Sequence, residues 1–555
     1  MDMRRINRGL LVVLLVALIG GCQKSEPESS GPSSTPEASG AAAVAERVAR
    51  IHWLGKKRLA METNAAYFMS IWNLAESTRL EAQTLDKLSV APWRLWKGEA
   101  AVTNAPRALL RPLFEDLVQE EAYFEVNHVT NQPGEFALAI RLTDQRSSLW
   151  QTNLAAALES LTGIRAVPSL DGRSGWSLKK HDPPNLIKLS RVGGWTLVSA
   201  GHNTNALLRD MAARIERDGA PFGARTTNYW IEADFDLRRV SDALALGWRL
   251  PKAWPQISLA VIGDGENVRT RGELTFAEPL PLELEPWNIP TNLVRDPLVS
   301  FTAIRGIRPW LAALDFWKEF TSGLVPNQFF SWAQQGAPMQ TYMAFPVAES
   351  SNRLRSATPL ILKHGNAWLA TNGMGRLEQL NGRSGVVWGG GPFVAPRLES
   401  VSAPEGDFVF AGLWDRLPSS KLAPPELLEG VIGRTNLVYY DWEITQSRLD
   451  AWIYLGQVLR LVSQKAQLPK TSASMAWFTA TGSKLGNSGT VVTRSGSQQL
   501  SFVRKSSAGF TGLEFHLLAD WLESPEFPMG FHTLLTPPDI LLKKPSPMPS
   551  PPGKR

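Results

Sequence analysis

Residues whose types and spacing suit catalysis fall into two groups. Gly486-Asn487-Ser488-Gly489, followed by His516 and Asp520, holds the residue types of a nucleophilic triad. Such a triad needs its serine on a strained elbow and its histidine within hydrogen-bond reach. Asp234 and Asp236 flank Phe235 on one strand face, and paired carboxylates can act as acid and base in glycoside hydrolysis. Solvated strand positions, or an amino-terminal helix cap before Leu237, account for the same two residues without catalysis. The seven histidines form no His-Glu-x-x-His pattern and the single cysteine allows no Cys/His cluster, so no zinc site of familiar spacing is expected. Gly193-Gly194 and Gly389-Gly390-Gly391 lack the spacing of a phosphate loop and read as turns. No catalytic residue, cofactor or metal is assigned on these grounds.

Binding chemistry is sparse as well. The 21 tryptophans are dispersed and several fall on apolar strand faces, which favours core packing. Trp93 and Trp96, beside Arg94 and Lys97, form the one local pair and are the candidate partner contact. Ser177-Leu178-Lys179-Lys180 with Lys470-Thr471-Ser472 resembles the motifs of penicillin-recognising enzymes, but their serine opens a helix and Ser177 sits in an alternating, strand-like run. The formal charge of +6 belongs to the ends: Arg4, Arg5 and Arg8 against Asp2 give +2, and Lys543, Lys544, Lys554 and Arg555 give +4. The body between them is neutral, and nucleic acid is excluded as a partner for want of a cationic field.

The amino terminus is more specific. Arg4, Arg5 and Arg8 precede an apolar run from Gly9 to Ile19, too short to span a bilayer of ~30 Å but suited to a signal peptide. It ends in Leu18-Ile19-Gly20-Gly21-Cys22, which resembles the lipobox of bacterial lipoproteins. The resemblance implies cleavage before Cys22 and acylation of its thiol, and Cys22 is the only cysteine in the chain. Two or three acyl chains at roughly 0.8 kcal/mol per buried CH₂ hold a protein stably to a bilayer where one does not. Gln23, in place of the aspartate that retains many such lipoproteins at the inner membrane, implies the outer membrane.

Around these residues the chain divides into a signal peptide at 1–21, a lipidated tether at 22–43 rich in Ser, Pro, Glu and Ala, and a Pro-rich basic tail at 541–555. Val44, Val48, Ile51, Leu54 and Leu59 recur at helical steps, and the same spacing continues through Leu74, Leu80, Leu85 and Leu88, so 44–120 is expected to be helical, closed first by Pro92 and reopened at Pro106. Beyond Glu121 the period becomes two. Phe124 and Val126, then Phe136, Leu138 and Ile140, predict a hairpin, and Trp150, Leu154, Leu158 and Leu161 predict a helix stopped by Gly163. Leu186-Ile187, Gly193-Gly194-Trp195 and Gly201 match Leu360-Ile361, Gly365 to Trp368 and Gly373; Ala233 to Asp236 matches Ala411 to Asp415; and Phe301-Thr302-Ala303 matches Phe478-Thr479-Ala480. These anchors predict an α+β fold of two diverged tandem copies, 121–330 and 336–535, the second without the Trp150 helix. Gly172-Arg173-Ser174-Gly175 recurs as Gly382-Arg383-Ser384-Gly385 out of register with them and reads as shared turn chemistry.

The sequence thus points to a membrane-anchored lipoprotein of the bacterial envelope, a non-catalytic binding or scaffold module. Its partners are the bilayer, through acylated Cys22, and an envelope protein or polysaccharide held by the helical region or between the copies. The alternative is an exported hydrolase acting on polysaccharide or peptide.

Overall fold

The computed structural model describes residues 46–128, 134–169, 173–181, 184–201, 206–223, 228–239, 254–314, 317, 325–336, 340–372, 375–389, 395–413, 421–462 and 472–529. The signal segment, Cys22, the tether and the 541–555 tail lie outside the described residues. Two compact units comprise residues 1–278 with 521–530, and 279–520 with 531–555. The break between Glu278 and Pro279 replaces the expected boundary near 330, which would cut through the second unit's sheet.

In the first unit β1 (Glu46–Trp53) leads into helices α1 (Lys56–Leu59), α2 (Ala66–Trp72), α3 (Ala75–Lys97) and α4 (Arg107–Gln119). Then follow β2 (Ala122–His128), β3 (Glu135–Arg141), α5 (Asp144–Thr162), β4 (Val167–Pro168), β5 (Gly175–His181), β6 (Pro184–Val192), β7 (Trp195–Gly201), α6 (Ala206–Asp218), β8 (Ile231–Asp236), β9 (Gln256–Asp264) and β10 (Asn267–Thr275). The helical expectation fails at 46–53. That segment pairs with β2 on one side and β8 on the other, and a central strand covered on both faces does not alternate, so Val48, Ile51 and Leu54 imitate a helical step. Pro92 does not close α3 either; the helix runs on to Gly98, with Leu85, Leu88 and Trp93 buried. The Trp150 helix is found as read: the Thr143 hydroxyl accepts from the Arg146 amide, Trp150, Leu154, Leu158 and Leu161 are buried, and Gly163 ends it at φ 73°. At about 1.5–3 kcal/mol per large apolar side chain, that face alone secures the helix to the sheet.

The second unit runs β11 (Leu298–Arg305), α7 (Arg308–Ala313), β12 (Gln328–Gln334), β13 (Thr341–Pro346), α8 (Ser350–Asn372), β14 (Arg376–Gln379), β15 (Gly385–Gly389), β16 (Arg397–Ala403), β17 (Gly406–Gly412), α9 (Pro425–Glu429), β18 (Leu437–Ile444), α10 (Thr445–Val462), α11 (Ala473–Gly482), β19 (Asn487–Arg494), β20 (Gln499–Ser506) and α12 (Gly512–Glu523). Its core gathers Phe301, Phe330, Trp332, Tyr342, Phe408 and Phe410.

Both units are α+β with antiparallel pairing, and the strand order is the same in each. The first reads β4-β5-β6-β7-β3-β2-β1-β8-β9-β10. The second reads β14-β15-β16-β17-β13-β12-β11-β18-β19-β20. The common order does not rest on the sequence anchors. Trp195 lies in β7 but Trp368 lies in α8, half exposed, and Phe301 lies in β11 but Phe478 in α11. α8 also stands where α5 stands in the first unit, so the second unit does not lack that helix.

The motif read as turn chemistry occupies the same place in the two strand orders, ahead of β5 and β15. The Ser174 carbonyl accepts from the Arg191 amide and the Ser384 carbonyl from the Ser400 amide, at 2.9 and 3.2 Å. Gly175 and Gly385 likewise accept, through their carbonyls, from the amides of Ser169 and Leu380, six and five positions earlier, each at 3.1 Å. Their φ values are 153° and 147°, and a Cβ would stand 2.0 Å from the Leu189 carbonyl oxygen or 2.1 Å from that of Leu398. Gly175→Ala and Gly385→Ala should therefore each cost more than about 2 kcal/mol in thermal unfolding; a near-wild-type midpoint for either would mean that the two turns are not built alike.

Candidate functional site

Glu121 ends the loop that enters β2, and its carboxylate lies at the end of the central strand pair with 3% of the side chain exposed. His52, on β1, places Nε2 3.0 Å from Oε1. Arg58, from α1, donates Nη1 to Oε2 at 2.6 Å, and Arg141, from the end of β3, donates to the same oxygen at 3.4 Å. Burial pushes this carboxyl up, but hydrogen bonds from His52 and Arg58 and the Arg58 charge outweigh it and hold Glu121 below its usual range.

Around this cluster is a cavity of about 280 Å³, walled on its apolar side by Leu54, Trp195, Phe222 and Tyr229. Phe222 packs 4.4 Å from the His52 ring and edge-on to Trp195, whose Nε1 donates to the Gly219 carbonyl and fixes the wall. The Arg58 and Arg141 side chains keep 36% and 61% exposure. Two guanidiniums against one carboxylate leave the cavity with a cationic balance beside aromatic faces. That chemistry suits an anion with a flat or apolar body. No serine, threonine or cysteine is among the residues described as lining it.

The residues singled out by sequence lie elsewhere. Trp93 is 2% exposed within the core and donates Nε1 to Ser160, and Trp96 packs against the same core, so the pair is no partner surface. Asp234 pairs with Arg50, and Asp236 accepts from the Arg238 amide at 3.1 Å as a helix cap does. Ser488 lies inside β19, 1% exposed and in register with Glu443, not on an elbow. His516 Nε2 stands 3.6 Å from Asp520 Oδ2 along α12.

Two features of the second unit escaped the sequence reading. Asp441 and Glu443 flank Trp442 on β18 at the places of Asp234 and Asp236, and burial raises both above their usual range. Thr302 Oγ1 donates to Asp441 at 2.6 Å and the Gly512 amide to Glu443 at 2.6 Å, with both carboxylates largely closed to solvent, which is a structural setting. A cavity of about 610 Å³ at the Arg383-Ser384 turn is lined by Ser351, Arg355, Ser400 and Glu399, the last bound to Arg383 at 3.2 Å. Among the described residues no group of three or more His, Cys, Asp or Glu is placed to hold a metal ion.

Because Glu121 is depressed, it binds its proton at lower pH in the folded chain than in the unfolded one. Its contribution is complete above about pH 4.5 and is lost as pH falls through the folded value. Glu121→Gln should lower stability at pH 7 by about 3 kcal/mol, and the gap from wild type should narrow on acidification below pH 4.5, as read by urea unfolding across pH; a gap that widened there would overturn this electrostatic account. The chain matches no protein-family model, no curated protein and no solved structure.

Proposed function

We propose that this protein is an exported lipoprotein, anchored by acyl chains on Cys22, whose body binds a ligand and does not turn one over. The single observation that carries the binding part is the cavity at Glu121. There a buried carboxylate is already met by His52, Arg58 and Arg141, and the surplus positive charge beside Trp195, Phe222 and Tyr229 offers recognition of an anion. His52 is engaged by Glu121 in the manner of an oriented base, yet the described lining includes no serine, threonine or cysteine for it to activate. The location part rests on the Arg-rich start, the short apolar run and the lone cysteine after Gly20-Gly21. The shared strand order of the two units supports descent from one duplicated unit that has since diverged, and a duplicated body with a polar cavity in each unit suits a binding or scaffold role in the envelope.

Two measurements test this reading. A radioactive fatty acid should label the wild type and not Cys22→Ala, which should move to the soluble export fraction; equal membrane retention of both would remove the anchor. Benzoate, a carboxylate on a flat ring, should bind saturably with quenching of tryptophan fluorescence, and Arg141→Gln should weaken it about tenfold, or about 1.4 kcal/mol. Equal affinity in the variant would take the anion away from this cavity.

A further inference from the structure

The common strand order makes one difference between the units readable. Arg50 faces Asp234 as Thr302 faces Asp441, so Trp53-Leu54 corresponds to Arg305-Gly306. Trp53 faces Ala122 as Arg305 faces Gln328, which sets Glu121 at the place of Asn327. The Glu121 cavity and the Asn327 end of the second sheet are therefore the same place in two versions.

In the second unit that place is filled by the chain's own segment 282–288. Asn327 Nδ2 donates to the Glu283 carbonyl at 2.7 Å, Arg305 Nη1 to that of Glu285 at 2.6 Å and Gln328 Nε2 to that of Pro286 at 2.6 Å. Gly306 lets the segment close in, since a Cβ there would stand 2.8 Å from Leu282 Cδ2. The guanidinium of Arg308, at the start of the helix that follows the strand, meets the carboxylates of Glu283 and Glu285 at 2.9 and 3.1 Å. Among the described residues of the first unit no segment fills that place: Lys56 stands where Arg308 does and pairs with Glu81, Arg58 lies two residues further on in the helix after β1, Arg141 ends β3, and the space is a cavity of about 280 Å³.

We infer that the cavity of the first unit receives from another polypeptide what the second unit supplies from itself, an extended acidic segment of the form Glu-x-Glu. This rests on the anion-binding reading and narrows it to a peptide. The two carboxylates meet Arg58 and Arg141, and the residue between them lies toward the aromatic wall, as alternation along an extended chain requires. The partner is thus an acidic, extended tract of another envelope protein, and the interaction weakens with salt because both arginines are partly exposed.

The test uses the full chain in detergent and the heptapeptide Leu-Glu-Leu-Glu-Pro-Trp-Asn, the sequence of residues 282–288, with a twin in which both Glu are Gln, followed by titration calorimetry. The acidic peptide should bind at least tenfold more tightly than its twin, be displaced by benzoate, and lose about tenfold in Arg141→Gln while the thermal midpoint stays put. Equal binding of the twins, or acidic-peptide binding that ignores both benzoate and Arg141→Gln, overturns the inference. If benzoate binds and the peptide does not, the peptide inference fails and the anion site stands; if neither binds, both fail.

Discussion

Each unit depends on a strand that enters first and ends in the middle. β1 and β11 are flanked on both sides by antiparallel partners, β2 and β8 in one case and β12 and β18 in the other. A strand so placed spends its backbone donors and acceptors inside the sheet and has both faces covered, so its register is fixed from two sides. That fixed register is what brings His52 to Glu121 and Arg305 to the carbonyls of 282–288. The ends of the central pair then become the only part of it free to vary. One unit uses that freedom for a cationic cavity and the other for a plug from its own chain.

Much of the peripheral structure was legible because it alternates or repeats cleanly. The β2–β3 hairpin and the Trp150 helix with Gly163 at its end both follow from local periodicity. The centre was not legible for the reason that makes it central. Burial on both faces erases the period of two, and a bulge between Arg47 and Ala49 breaks what is left. The anchors chosen for a repeat fall on unlike elements of the two units, Trp195 and Phe301 on strands and Trp368 and Phe478 on helices. The described connections differ between the units: helices α1 to α4 separate β1 from β2, whereas α7 lies between β11 and β12. A search for one constant offset rejects the Arg-Ser-Gly turn, which backbone geometry retains, and accepts chance likenesses such as Phe301-Thr302-Ala303.

The site left a fainter trace. Lys56-Lys57-Arg58 and Glu120-Glu121 are complementary charge runs, and Lys57 pairs with Glu120 as Arg58 does with Glu121. His52 and Arg50 stand among the apolar residues of the stretch Val48 to Trp53, a pattern that asks for partners. Reading 44–59 as helix hid this, because on a helix those side chains face solvent. The tryptophan pair misled in the opposite sense: Trp93 is large, aromatic and flanked by cations, yet an indole that can donate to Ser160 is satisfied inside the core.

The position of β1 also fixes the order in which the molecule can be finished. Synthesis proceeds from the amino end, so residues 46–53 appear before β8, at 231–236, which follows only after α1 to α6 and β2 to β7. Until then one edge of the sheet's middle strand has no partner, and the long separation between them carries the loop-closure entropy that slows such pairings. The first segment out is the last to be sealed. An unpaired strand edge of that kind is a template for pairing with another copy, so the interval before β8 arrives is when the chain is most exposed to misassembly.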